Sequence, residues 1–148
     1  MSTTGPLGIN AVLTNVRQRL DRLTPREAFL ATRRGAVLVD IRPQLHRTTD
    51  GAIPGAIVIE RNVLEWRLDP TSDSRLPIAD YHLHVIVVCN EGYTSSLAAA
   101  SLQDLGIHQA TDLIGGFRAW HAAGLPTTSD EQNPPNGIVA NRRPGSLP

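Results

Sequence analysis

The sequence predicts a three-layer α/β domain in which helices cover both faces of a mostly parallel sheet. Short apolar runs typical of buried strands alternate with amphipathic stretches typical of helices. The clearest run, residues 85–88, holds four consecutive β-branched aliphatic side chains, which favour a strand buried on both faces. Turns that contain glycine and proline separate these runs, as expected where each element ends.

The first elements of the chain are predicted to be two helices. Residues 10–23 place valine and leucine at helical spacing, which predicts a helix that packs on the domain. We interpret its three arginines as a solvated face rather than an anion site: Arg17, Arg19 and Arg22. Thr24 and Glu27 then form a capping-box pattern around Pro25, so a second helix begins here and ends near Gly35.

The first strand is predicted at residues 36–41, an apolar run that contains one acid. Asp40 and Arg42 fall at its carboxyl end, the edge where open α/β sheets bind ligands. Three further segments lead to the next strand: a strand at residues 57–59, a short helix at residues 61–68 and an exposed polar connection at residues 69–80.

Cys89, the only cysteine, directly follows the strand at residues 85–88. A polar turn comes next, and then threonine and serine that can cap a helix over residues 95–105. A thiol at such a junction faces backbone N–H groups and the positive end of a helix dipole, which stabilise an anion. Cys89 is therefore a candidate nucleophile, and a buried cysteine that acts as a small hydrophobe is the alternative.

The remaining elements complete the alternating pattern. Gly106 is a natural end for the preceding helix, a strand is predicted at residues 110–114, and Gly115 and Gly116 lead into a last helix. Trp66 and Trp120 stand among apolar neighbours at helical spacing, so we expect both in the core. The divisions are an N-terminal helix at residues 1–23, the domain at residues 24–126 and a flexible tail at residues 127–148, unless Ile138 and Val139 pin that tail to a surface.

Composition excludes several classes of protein. The 148 residues, 41% of them hydrophobic, fit one domain, and zero net charge offers no general attraction to nucleic acid or membrane. All 14 basic residues are arginine, so lysine chemistry is excluded, and one cysteine excludes an internal disulfide and a cysteine-rich zinc site. No histidine has metal-ligand spacing, and no signal peptide or membrane-length apolar run is visible, so we expect no metal and a cytoplasmic location.

Three blocks of the sequence resemble the rhodanese-like sulfurtransferase family, in particular its single-domain bacterial members. They are residues 38–42 with the turn at residues 51–56, the strand that delivers Cys89 into a tight loop, and the Gly-Gly…Trp…Gly-Leu-Pro stretch at residues 115–126. The resemblance covers residues 24–126. It implies a parallel five-stranded sheet flanked by helices, no cofactor, and Cys89 as the nucleophile that carries sulfur as a persulfide.

The resemblance also implies which residues surround the thiol. The candidate substrate-binding set is the loop and one acid: Asn90, Glu91, Gly92, Tyr93, Thr94, Ser95 and Asp40. Asn90 and Glu91 depart from members that carry arginine after the cysteine, and a carboxylate there opposes a dianionic donor. We hypothesise that Arg61 binds the donor's sulfonate instead, the alternative being an ion pair with Asp40 or Glu65.

The predicted function is sulfur transfer from thiosulfate or a protein persulfide to cyanide or a thiol. A persulfide relay, or a non-catalytic interaction module with little thiosulfate activity, is the alternative. Phosphatases of related fold close their loop with an arginine that binds phosphate bidentately, and residues 90–97 contain none. No pattern in the sequence identifies the physiological donor, the acceptor or the oligomeric state.

Overall fold

The structure is a computed structural model that describes residues 5–129, so most of the predicted tail, with Ile138 and Val139, lies outside the described residues. Its strands are β1 (Val37–Asp40), β2 (Ile57–Val58), β3 (Val85–Val88) and β4 (Thr111–Asp112). Its helices are α1 (Ile9–Arg17), α2 (Pro25–Thr32), α3 (Gln44–Asp50), α4 (Leu64–Leu68), α5 (Thr94–Asp104) and α6 (Gly116–Ala122), with a 3-10 turn at Arg61–Val63.

The strands form one parallel sheet in the order β2-β1-β3-β4. The expectation of five strands is therefore wrong for the described residues, which contain four. At the place of a fifth strand, Leu23 makes a single parallel bridge with Leu113. The ladder ends there because Thr24 caps α2 and Pro25, its first residue, has no N–H to donate.

Alternate residues of the central strands point to opposite faces of the sheet, as the strand period requires. Val39, Val85 and Val87 face a core closed by α4 and α5, while Leu38, Ile86 and Val88 face one closed by α2 and α6. All four side chains of β3 are fully buried. The α/β architecture with helices on both faces is thus confirmed, and it places the carboxyl end of β3 in the middle of one sheet edge.

The first helix is shorter than expected, whereas the second begins as expected. The first helix ends at Arg17 rather than at residue 23, although Leu20 remains buried in the core beyond it. The capping box of α2 is confirmed: Thr24 Oγ1 accepts from the Glu27 N–H (3.2 Å), and Glu27 accepts from the Thr24 N–H (2.9 Å). None of the helices within residues 5–129 has the length and hydropathy needed to cross a bilayer.

The two tryptophans have different environments. Trp120 is 2% exposed, packs edge-on against Phe29 and donates its indole N–H to the Pro126 carbonyl (2.7 Å). Trp66 is 61% exposed, so the expectation that it anchors the core is wrong. In the five-residue helix α4, Leu64 and Leu68 are the side chains that reach the core, which leaves Trp66 on the outer side.

Candidate active site

Cys89 lies one residue beyond β3, where the chain turns into α5, and only 4% of it is exposed. Its Sγ accepts backbone N–H groups of Gly92 (3.2 Å) and Ser95 (3.3 Å). The second donor belongs to the first turn of α5, which begins at Thr94. Backbone N–H groups at a helix start stabilise a thiolate, so this geometry suits a nucleophilic sulfur.

The glycines of the site allow two stretches of backbone to approach each other. Gly92 has φ +88°, and a Cβ there would lie 2.6 Å from the backbone nitrogen of Gly115. A Cβ on Gly116 would collide with the Cys89 carbonyl oxygen. At this approach the Phe117 N–H donates to the Cys89 carbonyl (2.8 Å) and the Arg118 N–H to that of Asn90 (3.1 Å). The start of α6 therefore holds the Cys89 loop from one side.

Asp112, at the end of β4, fixes the loop from a second side. Its Oδ2 accepts the hydroxyl groups of Ser95 (2.7 Å) and Ser96 (2.8 Å), and its Oδ1 accepts from Arg22 Nε (2.8 Å). The carboxylate is fully buried, and these partners compensate its desolvation. Ser95 thus gives its backbone N–H to sulfur and its hydroxyl to Asp112. Sequence reasoning missed Asp112, although its place at the carboxyl end of a parallel strand was a usable signal.

The arginines of the N-terminal segment also reach the loop, which corrects the interpretation of a solvated face. Arg17 Nη2 and Arg22 Nη2 both donate to the Gly92 carbonyl, at 2.8 and 3.1 Å. Arg17 Nε also donates to Ser96 Oγ (2.9 Å). Arg19 alone of the three fits the solvated reading, since it pairs with Asp104 at the surface. No local pattern could identify Arg17 and Arg22, because their partners are 70 or more residues away in the chain.

A cavity of about 220 Å³ opens beside the thiol. Its walls come from the ends of β1 and β3, the first turn of α3 and the loop: Ile41, Arg42, Pro43, His46, Cys89, Asn90, Glu91, Tyr93 and Thr94. Three buried polar atoms of these residues have no hydrogen-bond partner within residues 5–129: Arg42 Nη1, His46 Nδ1 and Asn90 Oδ1. Groups of this kind are available to a bound molecule. The sequence reasoning did not single out His46 as a site residue.

Asp40 is committed to its own neighbour. Its carboxylate accepts Arg42 Nε (3.1 Å) and Nη2 (2.8 Å), and it also accepts the Arg42 backbone N–H. The Arg42 guanidinium stacks on the Phe117 ring, 4.1 Å from its centre, and donates to the Gly51 carbonyl (2.9 Å). Asp40 is thus absent from the cavity wall. It orients Arg42, which is part of that wall.

Arg61 lies outside the cavity wall and forms an ion pair with Glu65, 3.0 Å from both carboxylate oxygens. Glu65 also accepts the Ser101 hydroxyl (2.5 Å). Burial acts to raise the pKa of Glu65, but the Ser101 hydrogen bond, a backbone hydrogen bond and Arg61 together outweigh it, so the pKa lies below its ordinary value. The ion-pair alternative is therefore present, and donor binding by Arg61 stays a prediction.

Glu91, the carboxylate nearest to Cys89 in sequence, is exposed and faces a compensating cation. Its Oε2 lies 3.4 Å from Arg118 Nε, and both side chains are more than half exposed. This pairing reduces the repulsion that Glu91 exerts on an anionic donor, although solvent screens both charges. The remaining loop residues of the candidate set, Asn90, Tyr93 and Thr94, all line the cavity, and substrate binding by them stays a prediction.

Comparison with known proteins agrees with this architecture. The rhodanese-like domain family model matches residues 25–123. The chain is 32% identical over 112 residues to the thiosulfate sulfurtransferase GlpE of Stutzerimonas stutzeri, covering 75% of this chain and 94% of that one. It is 34% identical over 100 residues to GlpE of Pseudomonas fluorescens, covering 67% and 83% of the two chains.

A solved structure from Rhodopseudomonas palustris, a protein of unknown function described as a possible tyrosine phosphatase, is also similar. It superposes with a TM-score of 0.75 at 35% identity, covering 86% of this chain and 98% of that one. The match of the family model to two thirds of the chain, together with the GlpE relatives, assigns the family. The chain belongs to the rhodanese-like domain family.

Proposed function

We propose that this protein is a sulfurtransferase that carries sulfane sulfur as a persulfide on Cys89. The observation that carries the proposal is the cradle of Cys89 Sγ, which two backbone N–H groups hold at the wall of a small cavity. Such donors stabilise the anionic sulfur of a thiolate or persulfide without a base beside it. The GlpE relatives, named as thiosulfate sulfurtransferases, support this general class of reaction.

The proposed cycle needs no outside oxidant or reductant. The Cys89 thiolate attacks the outer sulfur of thiosulfate, the S–S bond of the donor breaks, and sulfite leaves with the bonding electron pair. An acceptor nucleophile such as cyanide then attacks the outer sulfur of the Cys89 persulfide. That S–S bond breaks in turn, thiocyanate leaves, and the thiolate is regenerated.

The donor is proposed to be a small sulfur-containing anion. A volume of about 220 Å³ admits thiosulfate, and Arg42 Nη1 is a buried donor on the wall that has no partner in the described part of the chain. Arg42 and Arg61 are both ion-paired, with Asp40 and Glu65 respectively. Arg42, however, lines the cavity and has this unpartnered Nη1, which makes it a stronger candidate for holding the donor than Arg61.

A protein persulfide is the second candidate donor, with transfer onward to a thiol. Tyr93 favours it, since this wall residue is 59% exposed and presents an aromatic surface beside the opening. A relay of this kind requires a reduced thiol, which is why we propose a cytoplasmic location.

Phosphatase chemistry, which the description of the Rhodopseudomonas palustris structure raises, is not proposed here. A phosphate held in such a loop needs a bidentate arginine, and residues 90–97 supply none. Arg17 and Arg22 do not replace it, since both guanidinium groups are bonded to the Gly92 carbonyl. We therefore expect no turnover of an aryl phosphate.

The test is the intact mass of the wild type and of Cys89→Ser after incubation with thiosulfate. We expect the wild type alone to gain the mass of one sulfur atom and to lose it to cyanide as thiocyanate. A wild type that gains sulfur from a cysteine desulfurase persulfide but not from thiosulfate would establish the relay. No gain from either donor would refute the proposal and leave a non-catalytic module.

A further inference from the structure

The Cys89 loop contains no cationic residue, but two arginines that precede the stretch matched by the family model reach it. Residues 90–97 hold no arginine or lysine, whereas Arg17 and Arg22 precede the stretch matched by the family model. Both guanidinium groups converge on one atom, the carbonyl oxygen of Gly92. The N–H of the same glycine donates to Cys89 Sγ (3.2 Å). The two arginines therefore hold the residue that supplies one of the sulfur's donors.

The peptide between Gly92 and Tyr93 connects this contact to the rest of the loop. All described peptide bonds are trans, so the Tyr93 N–H points opposite to the Gly92 carbonyl and away from the arginines. Two charged donors on the carbonyl polarise the amide and strengthen its N–H dipole. In the chain, this amide stands between the two residues whose N–H groups bind Sγ, Gly92 and Ser95.

The two arginines differ in net charge. Asp112 neutralises Arg22 through contacts at 2.8 and 3.2 Å. Arg17 contacts only neutral groups, namely the Gly92 carbonyl, Ser96 Oγ and the Tyr93 ring, and within residues 5–129 it has no carboxylate at ion-pair distance. Its positive charge is half-buried against the loop and has no ion-pair partner in the part of the chain that the structure describes.

We propose that Arg17 is a positioning residue of the Cys89 loop: it fixes the Gly92 carbonyl and lends the loop the positive charge that residues 90–97 lack. Arg22, tied to Asp112, fixes the same carbonyl from a second direction. The role of Arg17 in catalysis rests on the proposed function. The stabilisation of an anionic sulfur at Cys89 by Arg17 does not, and it can be measured separately.

The test compares Arg17→Gln, Arg17→Lys and the control Arg19→Gln, because Arg19 lies nearby but pairs with Asp104 at the surface. Cys89 is the sole cysteine, so the pH profile of alkylation by iodoacetamide reports on it alone. We expect Arg17→Gln to move the profile's midpoint upward by about 0.5–1 pH unit. Arg17→Lys should restore part of the shift, and Arg19→Gln should leave the wild-type midpoint unchanged.

A midpoint for Arg17→Gln that equals those of wild type and Arg19→Gln would overturn the inference. If Arg17→Gln does not fold, Arg17→Lys decides: an alkylation midpoint above that of wild type supports the inference, and a midpoint equal to that of wild type refutes it. The alkylation readout needs no sulfur transfer. If the wild type takes up no sulfur but Arg17→Gln still raises the alkylation midpoint, the proposed function alone would be refuted.

Discussion

Replacing Gly92 with alanine tests whether the loop and the start of α6 need their close approach. Gly92 has φ +88°, and an added Cβ would lie 2.6 Å from the Gly115 nitrogen and 3.1 Å from its Cα. Both neighbours are backbone atoms, which cannot move aside as the end of a flexible side chain does. The substitution therefore combines a strained φ with an overpacked contact.

The structure also provides the means to separate these two effects. An alanine held at positive φ costs about 1–2 kcal/mol, and overpacking costs about 1–3 kcal/mol more. Gly92→Ala should therefore lower the free energy of unfolding by about 2–5 kcal/mol. Gly55 has φ +81° with nothing within 4 Å of its added Cβ, so Gly55→Ala introduces the backbone strain without the overpacked contact.

The assay is urea unfolding at neutral pH, followed by far-ultraviolet circular dichroism, with wild type and both variants in parallel. We expect Gly92→Ala to lose about 1–3 kcal/mol more than Gly55→Ala. It should also load sulfur more slowly, since the displaced loop carries the N–H that binds Cys89 Sγ. Equal losses for the two variants would show that the contact with Gly115 is not tight, and would refute the reasoning.

Three further predictions use other residues. Trp120→Ala should lower the free energy of unfolding by about 3–5 kcal/mol, and Trp66→Ala should change it by less than about 0.5 kcal/mol in the same urea titration. Because the pKa of Glu65 is below its ordinary value of 4.5, its stabilisation is complete above that pH and is lost as the pH falls through the lowered pKa. Glu65→Gln should thus cost about 1 kcal/mol at neutral pH, and the gap from wild type should close in strong acid; a constant gap would contradict this. Arg61→Ala should raise the KM for thiosulfate if Arg61 binds the sulfonate, and an unchanged KM and kcat would remove it from the site.

Local patterns in the sequence predicted the parts of the fold that depend on neighbours in the chain. The capping box at Thr24 and the buried strand before Cys89 are both present, since each is decided by a few adjacent residues. The first helix was predicted too long because Leu20 and Leu23 continue its apolar spacing. Periodicity reports burial, and Leu20 is buried without being helical, while Leu23 pairs with the sheet.

The surroundings of the thiol were predicted less completely than the thiol itself. The loop and its backbone donors follow from a strand that runs into a helix. The side chains that fix the loop, Arg17, Arg22 and Asp112, come from segments brought together only by the folded sheet. Trp66 shows the same limit for packing, because a five-residue helix buries too narrow a stripe for spacing alone to identify its inner side.

The small cavity beside Cys89 also bears on how long a sulfur cargo would last. The outer sulfur of a persulfide lies about 2 Å beyond Sγ, within a space of about 220 Å³ beside a side chain that is 96% covered. Cyanide can enter whole, whereas a bulky thiol must insert its sulfur on an extended arm. The rate of sulfur transfer would then depend on whether the acceptor can reach the outer sulfur more than on its concentration. The persulfide would persist until a suitable acceptor binds.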